Sequence, residues 1–127
     1  MMKKIINSTK SPAPIGPYSQ AIKAGNTLYV SGQIPIDQNS GQLIETSIED
    51  ETEQVMKNLG YILEEAGLTF KHVLKCSIFV SDMGNFARIN EVYGKYFQEN
   101  PPARETVEVS RLPKGVNVEI SCIAQFS

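Results

Sequence analysis

Arg104 and Glu119, in the last quarter of the chain, are the residues with the clearest capacity for chemistry. Arginine binds a planar carboxylate through two parallel N–H bonds, and glutamate can move a proton or polarise a water molecule. Together they suit a small anionic substrate. The alternative is a cross-strand ion pair on a solvated face, which would contribute only about 0–1 kcal/mol to stability.

The other reactive side chains exclude several classes of enzyme. The sequence has one histidine, His72, and two cysteines, Cys76 and Cys122, and it has no CxxC, HExxH, GxGxxG or P-loop motif. A multi-histidine metal site is therefore excluded. His72 lies between a helix end and a strand start and is predicted to be a surface residue, whereas both cysteines are predicted to be free buried thiols. Carboxylate, arginine, tyrosine and hydroxyl chemistry remains.

The size and charge of the chain fit one globular domain over residues 1–127, with one modest core. A net charge of −2 makes nucleic acid an unexpected partner. No apolar run is long enough to span a bilayer, and the start MMKKIINSTK lacks the apolar middle of a signal peptide. We therefore expect a cytoplasmic protein with no membrane partner.

Hydrophobic periodicity predicts the elements that position these residues. They are a hairpin over 18–36, a helix over 47–68, a strand over 73–81, a helix over 85–100, and strands over 104–110 and 116–125. This order predicts an α+β fold, with a mixed sheet of five to six strands and two helices on one face. The other face would carry Tyr29, Phe79 and Ile123, and their burial against another copy predicts an oligomer.

The last two strands are predicted to form an antiparallel hairpin. Their apolar alternation turns Val107 and Val109 toward the core and puts Arg104 and Thr106 on the other face, together with Glu119. If residues 111–114 form the loop, Thr106 lies opposite Glu119 and Arg104 is its diagonal neighbour. An arginine, a hydroxyl and a carboxylate would then share the face that an oligomer buries.

Six segments of the chain resemble the RidA/YjgF family, the reactive-intermediate deaminases. They are IGPYSQAI, VSGQIPID, DMGNFARINEVYGKYF, PPARETVEV, RLPKGVNVEI and the closing IA. These segments fall in the family's order and extend from about Pro14 to Ala124. Six collinear segments over nearly the whole chain make the resemblance far more specific than a single short motif.

The resemblance implies a chorismate-mutase-like fold and a homotrimer whose clefts lie between subunits. It also implies cofactor-free hydrolysis of 2-imino acids, derived from 2-aminoacrylate and 2-aminocrotonate, to 2-keto acids and ammonia. In this interpretation Arg104 binds the substrate carboxylate and Glu119 serves the water and proton steps. The further residues expected to line the cleft and bind substrate are Tyr18, Ser31, Gly32, Asn90 and Thr106.

The segment beside the arginine departs from the family pattern. The family commonly reads PARSCVEV, whereas this chain has Glu105 and Thr106 in place of serine and cysteine. A role that needs a thiol would be lost, but imine hydrolysis needs no nucleophilic side chain, so we expect activity to survive. Two other functions stay open: a non-catalytic module that binds a small carboxylate, and a ribonuclease or translation inhibitor, which the acidic charge disfavours.

Overall fold

The computed structural model describes residues 2–127, in which one six-stranded sheet carries two helices on one face. The strands are β1 (Lys4–Ile6), β2 (Ala21–Ala24), β3 (Thr27–Gln33), β4 (Ile36–Asp37), β5 (Gln42–Leu43), β6 (Val73–Val80), β7 (Ala103–Glu108) and β8 (Val118–Gln125), and the helices are α1 (Ile48–Glu65) and α2 (Phe86–Tyr96). Strands β4 and β5 form a separate two-stranded ribbon. The predicted α+β fold is confirmed.

The large sheet has the strand order β1-β2-β3-β8-β6-β7. Its neighbours pair antiparallel except β6 and β7, which are parallel and are connected through α2. A parallel pair needs such a crossover because the chain must return to the same end of the sheet. Strand β7 is therefore an edge strand that lies next to the helix connecting it to its partner.

Helix α1 begins and ends where the sequence predicts. The Ser47 hydroxyl accepts a hydrogen bond from the Asp50 backbone N–H at 3.0 Å, and the first turn is acidic, which complements the helix dipole. Gly67 follows the helix with φ of 78°, a conformation that glycine adopts without steric cost. The apolar face of α1 packs on the sheet through Val55, Met56, Leu59, Ile62 and Leu63, each at most 1% exposed.

Both cysteines are free and buried, as predicted. The predicted surface position of His72 is confirmed only in part. Cys76 and Cys122 are free, buried and directly opposite one another on β6 and β8. His72 ends a short 3-10 turn and is partly buried. Its Nδ1 accepts a hydrogen bond from the backbone N–H of Thr69 at 3.0 Å, so the ring caps the turn that leads into β6. This role is structural.

The predicted hairpin between the last two strands is wrong. Strand β8 lies between β3 and β6, while β7 pairs with β6, so the two strands are not neighbours. The face assignment is also reversed, because Arg104 pairs with the buried Cys76 and Thr106 pairs with the buried Ile78. Val107 pairs with Phe79 on the face without helices and is 42% exposed.

The faces of β7 are reversed because an edge strand needs only one well-packed face, and that face can be the polar one where a helix supplies polar partners.

In residues 2–127 neither helix has the length and apolarity needed to cross a bilayer.

Candidate functional site

Arg104 lies on the helix face of the sheet, directly beneath α2. Its Nη1 donates a hydrogen bond to Asn90 Oδ1 at 2.5 Å. Its Cζ lies 5.0 Å from the ring centroid of Tyr93 and 5.4 Å from that of Phe86, which is within the range of cation–π attraction. Together with Thr106, these residues form what we call the arginine half-site.

The positive charge of Arg104 has no carboxylate partner in the described part of the chain. The ion pairs found there are Lys10–Glu64, Lys75–Glu105 and Arg88–Glu49. A guanidinium carries five N–H donors, and here one of them is used, by Asn90. A groove of about 360 Å³ opens beside it, lined by Asn90, Tyr93 and Pro102 among others. The charge and the donors remain free to bind an external anion.

Two hydroxyl groups of the arginine half-site are buried without a hydrogen-bond partner, Tyr93 Oη and Thr106 Oγ1. Burial, and then the neighbouring Cys76 thiol, raise the pKa of Tyr93, although the thiol does not complete a hydrogen bond of good geometry. Burial likewise raises the pKa of the Cys76 thiol. Thr106 lies two residues after Arg104, on the same helix-covered face of β7.

Glu119 lies on the opposite face of the sheet, beside an irregular part of β3. The register between β3 and β8 shifts between Val30 and Gln33, which places a bulge at Ser31 and Gly32. A Cβ built on Gly32 would lie 2.8 Å from Glu119 Cδ and 3.0 Å from Cγ, so a side chain at this position would displace the carboxylate from where it lies. Ser31 and Gly32 thus form a bulge at which the Glu119 side chain lies close to the backbone of β3.

Burial raises the pKa of Glu119, because the half-buried carboxylate has lost part of its hydration. Tyr18 is 49% exposed and lines a small recess together with Gly32. The Ser31 hydroxyl donates a hydrogen bond to the Ser19 carbonyl oxygen at 2.6 Å, which ties β3 to the loop that carries Tyr18. Tyr18, Ser31, Gly32 and Glu119 form the glutamate half-site.

The predicted site residues thus fall into two groups on opposite faces of the sheet. Asn90, Arg104 and Thr106 lie in the arginine half-site, under α2. Glu119 pairs with Phe79 across β8 and β6, on the face without helices. The expectation that Thr106 lies opposite Glu119, with Arg104 as its diagonal neighbour, is therefore wrong within one chain.

Glu105, one of the two departures from the family pattern, points away from the arginine half-site. It accepts a hydrogen bond from the Ser77 hydroxyl and pairs with Lys75 Nζ at 3.1 Å, on the face without helices. Ser77 first, and then Lys75, lower the pKa of the Glu105 carboxyl. Of the two departures, Thr106 alone lies beside Arg104.

Sequence reasoning did not name Phe86 and Tyr93 as site residues, and the structure shows both rings against Arg104. The signal was present, because the polar Asn90 lies four residues after Phe86 and three before Tyr93. On a helix this spacing puts all three side chains on one face. A polar residue beside aromatic residues on one helix face indicates a hydrogen-bond partner opposite it.

The fold and the two half-sites define a small α+β protein with a free arginine at a sheet edge and a half-buried glutamate on the opposite face. The profile of the family described as Endoribonuclease L-PSP matches residues 8–126. The chain belongs to this family, which is the RidA/YjgF family that its motifs resemble. The recognition made from the sequence is confirmed.

Relatives and a solved structure match the chain over nearly its whole length. A RutC family protein of Pyrococcus horikoshii is 53% identical over 123 residues, covering 97% of this chain and 98% of the relative. A mouse protein named 2-iminobutanoate/2-iminopropanoate deaminase is 46% identical, covering 98% of this chain and 92% of the relative. The crystal structure of TdcF from E. coli with bound serine superposes with a TM-score of 0.94 at 38% identity, covering 98% and 99%.

Proposed function

We propose that the protein hydrolyses 2-imino acids, formed from 2-aminoacrylate and 2-aminocrotonate, to 2-keto acids and ammonia without a cofactor. The observation that carries this proposal is the Arg104 guanidinium, which has no carboxylate partner in residues 2–127 and opens onto a groove. A 2-imino acid has a carboxylate next to the reacting carbon. Binding that carboxylate at Arg104 would fix the C=N group at a defined distance from the guanidinium.

The chemistry needs a positioned water and a proton donor, and no nucleophilic side chain. Once protonated, the imine carbon is electrophilic, so water adds to it and the resulting tetrahedral adduct expels ammonia as the carbonyl forms. A carboxylate whose pKa is raised can accept a proton from the water and return it to the departing nitrogen. The raised pKa of Glu119 suits it for this role.

The location of the half-sites on opposite faces supports an oligomer with each reaction site between two subunits, and the family resemblance implies that this oligomer is a homotrimer. Within one chain the sheet separates Arg104 from Glu119. The face without helices exposes apolar side chains that a neighbouring copy would cover, with Ile5 at 53% and Tyr29 at 51%. In this assembly one copy would supply Arg104, Asn90 and Thr106, and the next would supply Tyr18, the Ser31–Gly32 bulge and Glu119.

The cytoplasmic location stays a prediction.

A coupled assay tests the proposed activity. A pyridoxal-phosphate-dependent threonine dehydratase supplies the imine, and the rate of 2-oxobutanoate release is measured with and without this protein. We expect the wild type to accelerate release above spontaneous hydrolysis. Arg104→Ala should lower kcat/KM about 10- to 100-fold, because a charge-assisted contact to the carboxylate is lost.

Arg88→Ala is the matched control for this experiment. Arg88 lies on α2, is exposed and pairs with Glu49 Oε1 at 2.6 Å, so its removal should leave the rate unchanged. An unaccelerated reaction with the wild type, or equal rates for wild type and Arg104→Ala, would exclude imine hydrolysis at this site.

A non-catalytic carboxylate-binding module is the second candidate, and the TdcF structure with bound serine favours it, since that relative holds an amino acid. Turnover and binding, measured in the wild type and in Glu119→Gln, separate the two candidates. If the protein is an enzyme, the wild type hydrolyses the imine and Glu119→Gln loses turnover while still binding 2-oxobutanoate. If it is a pure binding module, the wild type already shows no hydrolysis. Ribonuclease activity is suggested by the family description, and a net charge of −2 opposes binding of RNA.

A further inference from the structure

The guanidinium of Arg104 is held by neutral groups, and this has a functional consequence. A protein carboxylate would bind the N–H edge that a ligand carboxylate needs, and it would compensate the charge. Ring faces attract the cation without using an N–H donor. The contacts of Arg104 are with neutral groups. Two aromatic rings, at 5.0 and 5.4 Å, use none of its N–H donors, and one amide oxygen uses a single donor.

Tyr93 is the best fixed of these groups. It is 4% exposed, and its ring packs against Phe97 with centroids 4.8 Å apart. The ring therefore cannot turn away from Arg104 without disturbing the core. Its hydroxyl has no hydrogen-bond partner in residues 2–127, so the contact with Arg104 is made by the ring face and not by a hydrogen bond.

We propose that Tyr93 is a positioning residue for Arg104, with Phe86 completing an aromatic cradle that keeps the guanidinium ordered and its donor edge free for a carboxylate. Tyr93 lines the groove beside the guanidinium, and the role proposed for it is exerted through Arg104. The ordering of Arg104 is a property of the free protein. The effect on ligand affinity rests on the proposed function.

Two variants separate the ring from the hydroxyl. Tyr93→Phe keeps the ring face, and because it removes a buried hydroxyl without a partner it should fold at least as well as the wild type. Tyr93→Leu keeps apolar volume but removes the ring face. Tyr96→Leu is the matched control, since Tyr96 is a partly buried aromatic residue of the same helix that packs on Phe70 instead of Arg104.

The first measurement needs no ligand. The order parameter of the Arg104 Nε–Hε group is determined by NMR in the free protein, with the spectrum assigned by comparison with Arg104→Lys. We expect a rigid group in the wild type, in Tyr93→Phe and in Tyr96→Leu, and a mobile one in Tyr93→Leu. An equally rigid group in a folded Tyr93→Leu variant would overturn the proposal, whatever the enzyme activity.

The second measurement is the dissociation constant for 2-oxobutanoate by calorimetry. Loss of a cation–π contact should weaken binding about 5- to 20-fold in Tyr93→Leu, whereas Tyr93→Phe and Tyr96→Leu should stay within about twofold of the wild type. Equal weakening in Tyr93→Leu and Tyr96→Leu would show a general packing defect and contradict the positioning role. A mobile Arg104 in Tyr93→Leu, together with a wild type that hydrolyses no imine, would retain this inference and exclude the proposed function.

Discussion

The ionised carboxylate of Glu119 lowers the stability of the folded protein, because burial removes part of its hydration without a compensating partner in residues 2–127. It is half-buried against the Ser31–Gly32 bulge, and burial is the cause that raises its pKa. Glu49 is the opposite case: the hydrogen bond from Arg88 is the main cause that lowers its pKa. The two glutamates therefore contribute to stability with opposite dependence on pH.

We predict that Glu119→Gln stabilises the protein at neutral pH and that the gain disappears in acid. A folded-state pKa above the unfolded value, which is about 4.3 for glutamate, means that the protonated form is favoured in the folded state. The contribution of Glu119 is thus fully present below the unfolded pKa and is lost as the pH rises through the folded pKa. Glutamine has no such dependence, so the difference in urea midpoint between variant and wild type should increase from pH 4 to pH 7.

Glu49→Gln is the control of opposite sign. The lowered pKa of Glu49 contributes stability above its unfolded pKa that is lost as the pH falls, so this variant should be less stable at pH 7 and approach the wild type in acid. Both comparisons are made at one protein concentration, since any association would shift the midpoints. A Glu119→Gln difference that does not change with pH would contradict the burial argument.

At the scale of elements, the position of Arg104 depends on the crossover from β6 through α2 to β7. The connection after α2 passes through Asn100, whose φ is 48°, and then through Pro101 and Pro102, where the chain is extended before β7. Asparagine tolerates the left-handed region better than other residues with a side chain, apart from aspartate. The turn is thus encoded by residue types that fix the start of β7.

We predict that Asn100→Ala lowers the free energy of unfolding by about 1 kcal/mol, whereas Asn100→Gly changes it by less than about 0.5 kcal/mol. The reason is that alanine must adopt a positive φ at a steric cost, and glycine does not. Urea unfolding of the two variants and the wild type measures the difference. Equal stabilities for the alanine and glycine variants would mean that the backbone relaxes there.

Both helices and the β2–β3 hairpin were predictable from the sequence because they are determined by local signals. Ser47 and Gly67 mark the ends of α1, and Gly25, with φ of 60°, forms the tight turn. The pairing of β7 was not predictable in this way. Alternation gives the parity of a strand but not its partner, and the short RLPKG segment is equally compatible with a hairpin loop and with a connection to a distant strand.

The same limit applies to the site. Each site residue named from the family motifs lies in one of the two half-sites, yet parity alone put Arg104 and Glu119 on one face. Val107 misled the assignment, since an apolar residue on the outer strand was taken as a core residue, whereas it is 42% exposed. The contact between Arg104 and α2 spans the crossover and depends on tertiary packing, which residue spacing within one strand does not report.

For the whole molecule, the face of the sheet without helices carries an apolar row across four strands. Ile5 pairs with Ile22, Ile22 with Tyr29, and Tyr29 with Ile123. Ile5 is 53% exposed and Tyr29 is 51% exposed, so this row faces water in a single chain. Glu119 lies on the same face, and a copy that covers the row would therefore also come close to the glutamate half-site.

If each reaction site takes Arg104 from one copy and Glu119 from the next, two impaired variants should complement each other. Arg104→Ala and Glu119→Gln are each expected to keep at most about a tenth of the wild-type activity alone. When they are mixed in equal amounts, unfolded and refolded together, half of the copies supply an intact arginine and half of their neighbours supply an intact glutamate. About a quarter of the sites in a closed ring should then be intact, and the coupled assay should recover about a quarter of the wild-type rate.

Refolding each variant separately before mixing is the control, and without subunit exchange it should give no recovery. The double variant refolded with either single variant should also stay inactive, because no intact pair of half-sites can form. Recovery would thus require that the two half-sites meet between copies. If the mixed sample had no activity although native mass spectrometry showed oligomers that contain both variants, Arg104 and Glu119 would have to act within one chain. That outcome would require the sheet to open, since the two side chains lie on its opposite faces.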